Sequence, residues 1–361
     1  VKKVTLKCEV VTPMFIAGAN SCVPEIRGPS LKGVMRFWWR ALNGNLSFKD
    51  LNLLKTEEAK IFGSSEKYGK SSFGIRIDKS FQRNEIETNL FNNINILNTL
   101  DDKNKSAIKY IYYFMYIRGK ERHCIRPGVE FSIDLLFSKD DKRIYEEVFK
   151  AFALLTLFGA LGARSRRGAG CFTVNSVEGD SFCDCKYSEF FEKYNRISST
   201  KDLKLFIEEE IKKWISNDDY SDEYTTLKGS KIYIFGQEDN WEKALSKIAK
   251  PYYEFRTKNE SRITETPNFG FPIRHKNGTT MIAGKKRKKD KIIRRASPLI
   301  FKVIKTGKNN YFPIIIWLNG RLLPNGYEIM DFNGGNRATE DDSIIEEFIN
   351  SIDCKKEETS L

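Results

Sequence analysis

Apolar and polar residues alternate from the first positions of the chain. Val4, Leu6, Cys8 and Val10 interleave with Thr5, Lys7 and Glu9, the period-two pattern of a half-buried strand. The period lengthens over residues 30–42, where Leu31, Val34, Met35, Trp38, Ala41 and Leu42 fall on one face of a helix. Gly28-Pro29 precedes it as a breaker, and Ser30 is placed as its N-cap. Residues 73–78 and 109–117 read as strands. Residues 129–137 carry the cleanest alternation in the chain, with Val129, Phe131, Ile133, Leu135 and Phe137 set against Glu130, Ser132 and Asp134. Ile144, Val148, Ala151, Phe152 and Leu155 return to helical spacing. Gly159 stands where a C-cap glycine would, and 171–177 is a further strand.

The order β-α-β-β-α-β predicts an α+β, ferredoxin-like (RRM-like, split βαβ) domain over residues 1–180, with 45–110 as an insertion of unassigned structure. The remainder, 181–361, is less regular. Leu203, Phe206, Ile207, Ile211 and Trp214 share a helical face; 231–235, 299–304 and 312–318 are strand-like; 241–249 and 344–352 are helical. This mixture is compatible with a second ferredoxin-like domain beyond a boundary near 178–186, although the sequence shows no internal repeat. Residues 355–361 read as a frayed end.

The length of 361 residues suits two domains of ordinary size, each with its own core. With 61 Lys+Arg against 48 Asp+Glu, a net charge of +13, the chain favours an anionic partner, nucleic acid ahead of a membrane surface. No apolar run approaches the roughly 18 residues of a membrane span, and no signal peptide is visible, which predicts a cytoplasmic protein with no membrane partner. Seven scattered cysteines, two histidines and the Cys183-Asp184-Cys185 spacing give no zinc pattern. Reduced thiols, and neither metal nor other cofactor, are expected.

Three basic segments carry candidate chemistry. On the helix over 30–42, Lys32, Arg36 and Arg40 follow at i, i+4 and i+8 and form one cationic stripe with Trp39 beside it. Such a stripe suits a phosphate backbone with a base stacked nearby; a solvated basic face is the plain alternative. Residues 158–170 set Gly159, Gly162, Gly168 and Gly170 around Arg164, Arg166 and Arg167. Glycines let a backbone approach a ligand, successive N–H groups can form an anion nest, and arginines add bidentate phosphate contacts. Without GK[ST], with Thr173 in place of a third glycine, and in the order helix-loop-strand, it is neither a Walker loop nor a dinucleotide fingerprint. A flexible connection is the alternative here. Residues 285–295, with eight cations and one anion, include Lys286, Arg287, Lys288, Arg294 and Arg295 and follow the turn signal Asn277-Gly278. They read as an RNA-gripping finger or as a mobile, solvated hairpin.

The run Arg27-x-Pro29-Ser30-Leu31-Lys32-Gly33-x-x-Arg36-Phe37-Trp38-Trp39-Arg40-Ala41 resembles the signature of the first Cmr subunit of type III-B CRISPR effector complexes, a family of the RAMP superfamily. Residues 159–170 resemble the glycine-rich loop of that superfamily, in the same place after the second helix. Arg295-Ala296-Ser297-Pro298-Leu299 resembles a C-terminal element of the same subunit. The resemblance implies a non-catalytic subunit in antiviral defence that contacts the 3′ part of the guide RNA and helps engage target RNA, with other Cmr subunits as partners. Target cleavage belongs to a different subunit. It further implies Arg27, Ser30, Lys32, Arg36, Arg40, Arg164, Arg166 and Arg167 as RNA contacts.

Two other readings stay open. One is a metal-independent RNA endonuclease using His123 or His275, since histidine titrates near neutrality. The other is an assembly scaffold whose aromatics, Trp38-Trp39 among them, serve a subunit interface. On the RNA-binding reading, Arg36→Glu and Arg166→Glu are expected to weaken RNA binding without unfolding the protein, checked by RNA titration alongside thermal melting.

Overall fold

The structure, a computed structural model, describes residues 1–20, 22–65, 68–77, 79–88, 90, 97, 100–115, 122–182, 184, 186–271, 273–274, 278–284, 291–292, 294–331, 337–354 and 356–361. In its first half come β1 (Lys2–Val10), α1 (Gly28–Leu42), α2 (Leu51–Phe62), β2 (Phe73–Arg76), α3 (Asp102–Ile111), β3 (Glu130–Phe137), α4 (Lys142–Phe158) and β4 (Phe172–Glu178). The antiparallel sheet runs β2-β3-β1-β4, so β3 lies between β1 and β2, and β4 pairs with the other edge of β1. Register follows from the alternation: Leu6 lies opposite Ile133 and Cys8 opposite Phe131, and all four are buried. On the other face Thr5 donates to Asp134, which Arg76 also holds.

After α5 (Tyr187–Asn195) and α6 (Thr200–Phe206), the same plan recurs as β5 (Thr226–Phe235), α7 (Trp241–Lys258), β6 (Leu299–Thr306), β7 (Asn310–Asn319), α8 (Ser343–Asn350) and β8 (Lys356–Ser360), with strand order β6-β7-β5-β8. Both halves are therefore β-α-β-β-α-β units with the same relative strand order. The second sheet is covered on both sides, which is why its strands read as unbroken apolar runs instead of alternating ones. Ile232, Ile234, Ile300, Ile304, Ile314 and Ile316 join one cluster with α1, α4 and the first sheet. Tyr233, Phe235, Leu299, Phe301, Val303 and Ile315 join α7 and α8 on the opposite face. The first cluster thus draws on both halves of the chain, in place of one closed core for each.

Three expectations are corrected. The strand expected over residues 109–117 is absent from its described part, 109–115: α3 runs to Ile111, capped by Asp101, whose side chain accepts from the Asn104 amide, and Ala107, Ile108 and Ile111 bury one helical face. Tyr110 packs its ring against Tyr252 and Tyr253 of α7, so the insertion clasps the second half of the molecule. The end of the chain is not frayed, because β8 pairs with β5 and completes the second sheet. The helix expected over 241–249 continues through Pro251 to Lys258, where buried Tyr252 and Phe255 outweigh the hydrogen bond that proline cannot donate.

The basic run is bracketed by a hairpin in which Gly284 pairs with Lys291 and Ala283 with Ile292; Lys286, Arg287 and Lys288 lie outside the described residues, as does the Cys183/Cys185 pair. Among the described residues no helix is long and apolar enough to cross a membrane.

Because β8 is a paired strand, the amides that Lys356–Ser360 exchange with β5 are expected to be protected in native-state hydrogen exchange on the scale of the β5–β7 ladder. Exchange at the rate of an open peptide would show that the chain end is frayed after all.

Candidate nucleic-acid interface

The first basic segment begins one turn earlier than its sequence suggests. Arg27, in extended conformation, is the N-cap of α1; Pro29 occupies the first turn, where its missing N–H costs nothing, and Ser30 lies inside the helix and does not cap it. Trp39 is also displaced from its expected role. Its ring is 1% exposed, packs against Phe62, and donates its indole N–H to Glu147 at 2.5 Å. It cannot stack on a base, because α1 packs against both α2 and α4 and its apolar face is wide enough to include position 39.

The cations of the stripe are held by the chain. Lys32 donates to the Phe73 carbonyl at 2.9 Å and lies 4.5 Å from the Phe73 ring centre; burial, with Arg36 nearby, lowers the pKa of its amine. Arg36 donates to the carbonyls of Phe62 and Gly63, both at 2.7 Å, which makes it the cationic cap on the C-terminus of α2. Arg40 pairs with Glu58 at 3.0 Å and keeps 46% of its side chain exposed. Arg27 is exposed.

The glycine loop is neither a nest with its donors open nor a flexible link. The N–H groups of Leu161, Ala163, Arg167 and Gly170 donate to the carbonyls of Gly170, Phe15, Arg164 and Pro13. Its glycines sit where the loop presses on protein. A Cβ on Gly159, whose φ is ordinary, would meet the Trp38 indole nitrogen at 2.4 Å; one on Gly170, at φ +70°, would meet the Leu161 carbonyl oxygen at 1.8 Å. Gly162 and Gly168 lie equally close to the Phe15 carbonyl and to Leu245.

The arginines between the glycines are each held by carbonyls beyond the loop. Arg164 donates to the Tyr113 carbonyl from both Nε and Nη2. Arg166 lies 5.1 Å from the Phe37 ring of α1 and donates to the Ser297 carbonyl; burial, with Arg167 and Arg295 nearby, pushes it down to about 10, so it stays charged at neutral pH. Arg167 is set 5.1 Å from the ring centres of both Tyr252 and Phe301 and donates to the Leu299 carbonyl, the Phe269 carbonyl and the Tyr252 hydroxyl. Arg295 donates to the Arg321 carbonyl, while Arg294 is exposed.

Helix α1, the glycine loop and residues 295–299 therefore converge on one place, centred on Arg166. The charge reversals anticipated at Arg36 and Arg166 would break internal hydrogen bonds, so the expectation that they leave the fold intact is not supported by this geometry. Sequence reasoning missed Lys302, fully buried on β6, whose ammonium donates to the Gly159 carbonyl at 2.7 Å and faces the Phe172 ring; burial lowers its pKa. The available signal was a lone cation in the apolar run 299–304. His123 is half-buried just before β3, and His275 lies outside the described residues. Among the described residues, no three His, Cys, Asp or Glu side chains gather into a group that could hold a metal.

The sequence pattern of the RAMP superfamily matches residues 7–173, from β1 through the glycine loop. The CRISPR system Cmr subunit Cmr1-1 of Pyrococcus furiosus is 29% identical over 321 residues, covering 86% of this chain and 86% of that protein. Cmr1-2 of the same organism is 32% identical over 186 residues, covering 47% of this chain and 93% of that protein. Among solved structures, apo Cmr1 from Pyrococcus furiosus superposes with a TM-score of 0.65 at 23% identity, over 99% of this chain and 98% of that one. A chain of the type III-B Cmr-beta complex bound to cognate target RNA superposes with a TM-score of 0.57 at 15% identity, over 97% of this chain and 99% of that one. At these identities the two structures speak for the fold.

Arg167→Ala is expected to destabilise the protein by about 2–4 kcal/mol, because the ring packing disappears and buried acceptors are orphaned. Gly159→Ala, which overpacks Trp38 without backbone strain, is expected to cost about 1–3 kcal/mol. Denaturant midpoints check both; an unchanged midpoint for Arg167→Ala would mean that the loop does not tie the two halves.

Proposed function

The chain belongs to the RAMP superfamily and, within it, to the Cmr1 subunits, and from that premise we propose that it is a non-catalytic RNA-binding subunit of a type III-B Cmr ribonucleoprotein effector. On this reading both halves are ferredoxin-like domains, joined near residues 178–186. The observation that carries the proposal is the convergence of α1, the glycine loop and residues 295–299 at Arg166 in a chain of net charge +13. Their concentration at one place is what a phosphate backbone would require. The Cmr-beta complex that contains the similar chain is bound to target RNA, which supports the same assignment.

The arginines divide into two roles. Arg27, Arg40 and Arg294, which are exposed, contact phosphates directly, together with Lys286, Arg287 and Lys288 of the basic run 285–295. Lys32, Arg36, Arg164, Arg166, Arg167 and Arg295 hold the backbone on which those contacts are presented, with Ser30 in the first turn of α1. The RNA is the 3′ part of the guide with its paired target, and the other partners are further Cmr subunits. The place of work is the cytoplasm, and no cofactor is required.

Titration of labelled single-stranded RNA at several salt concentrations is expected to give log affinity falling with log salt by roughly 0.7 per phosphate contact, with intact RNA on a denaturing gel. Arg27→Glu combined with Arg294→Glu is expected to weaken binding and flatten that slope by about 0.7 for each phosphate no longer neutralised, without lowering the melting temperature. Absence of binding at low salt would leave an assembly scaffold. RNA cleavage that disappears with His123→Ala or His275→Ala would make the protein a nuclease.

A further inference from the structure

The end of α3 carries a feature that neither the basic motifs nor the fold requires. Tyr112 is buried, with its ring edge-on to Phe15 and its hydroxyl donating to the Gly168 carbonyl at 3.2 Å, so it anchors this turn to the glycine loop. The next two residues face solvent. Tyr113 is 50% exposed and Phe114 56% exposed, with ring centres 4.3 Å apart. Both are large apolar surfaces left in water beside a well-formed core, the opposite of what burial favours.

The backbone at the same place is strained. Among the described residues, Phe114 at φ +73° and Arg164 at φ +59° are the two non-glycine residues in the left-handed region, and they belong to one junction. Arg164 donates from Nε and Nη2 to the Tyr113 carbonyl, the peptide that leads into Phe114. A bulky aromatic at positive φ persists only where its surroundings over-determine it, and such residues gather at ligand-binding positions. Here the Tyr112 anchor on one side and the Arg164 clamp on the other fix the turn, which the Met115 amide closes by donating to the Tyr112 carbonyl at 3.0 Å.

We propose that Tyr113 and Phe114 form a stacking platform for one unpaired nucleobase of the bound RNA, presented beside the glycine loop by Arg164. The inference rests on the RNA-binding reading above and adds to it a base-contacting element from the insertion. Charge complementarity selects the occupant. Arg164 lies at the platform, exposed Arg122 donates its amide to the Met115 carbonyl of the same turn, and exposed Lys109 precedes Tyr113 by one helical turn. Aromatic faces flanked by cations match a base together with its phosphates, and the contact tolerates any sequence because every base has a π face.

The test uses the full chain, a fluorescein-labelled single-stranded oligouridylate, and the same oligonucleotide carrying 5-iodouridine. Phe114→Gly removes the ring while suiting the left-handed backbone, so its melting temperature is expected to hold or rise. Phe114→Gly and Tyr113→Ala are each expected to weaken RNA binding about tenfold with an unchanged salt slope, since no charge is removed. Phe114→Trp is expected to bind as well as wild type, and ultraviolet cross-links are expected to map to residues 113–114. Wild-type affinity in folded Phe114→Gly overturns the platform and leaves the RNA-binding proposal standing. Failure of wild type to bind the oligonucleotide overturns both. RNA binding preserved in Phe114→Gly, while association with the other subunits disappears, would assign the pair to a protein interface and overturn the platform.

Discussion

Arg167 sits between Tyr252 and Phe301 and donates to carbonyls contributed by Leu299 and Phe269. Much else depends on that arrangement. The residue comes from the connection between α4 and β4, so its grip fixes the end of the first unit against β6 and α7 of the second. Arg166 repeats the principle one residue earlier, placing its guanidinium near Phe37 of α1 while donating to the Ser297 carbonyl. A guanidinium serves here because it is planar, permanently charged and carries five donors, so it can lie near an aromatic ring and satisfy several carbonyls at once.

The glycines of the loop make that grip possible. A connection that carries two inward-facing arginines must approach Trp38, the Phe15 carbonyl, the Leu161 carbonyl and Leu245 more closely than a Cβ permits. The loop is thus tight because it is structural, and its tightness then presents Arg164 and the aromatic turn of α3 on its outer side. Lys302 belongs to the same construction. Its ammonium is buried against the Gly159 carbonyl just past the end of α4, a second link between β6 and the start of the loop. A buried cation that donates to a backbone carbonyl is expensive to desolvate, and it fixes one arrangement of the two sheets because any slip would leave it unpaired.

Much of the fold was legible in the residue pattern. Hydrophobic period is a local property, and wherever one face is buried the sequence records it: β1, α1, β3, α4 and β4 were all visible in this way. The exceptions have specific causes. Residues 109–117 combine aromatic and β-branched residues that favour strands, yet the packing of Ala107, Ile108 and Ile111 on α7 imposes a helix as far as Ile111. The charged end of the chain carries no apolar alternation, and it becomes β8 because β5 offers an open edge. Trp39 falls on the polar side of a helix buried on one face only, whereas α1 is covered on two sides.

The candidate site was legible as three segments but not as an arrangement. The sequence by itself determined that the chain is basic, that its cations gather in α1, in the glycine loop and before β6, and that a β-α-β-β-α-β unit carries the first two. It could not say which of those cations face solvent. The Arg36 acceptors lie 26 and 27 residues away at the end of α2 and the Arg166 acceptor 131 residues away in the second half, so the first pairing exists only once α2 has packed on α1 and the second only once the units have docked. Exposure is a property of that docked surface, and tertiary structure alone turned Arg36, Arg166 and Arg167 into internal supports while leaving Arg27, Arg294 and the Tyr113–Phe114 pair open to solvent.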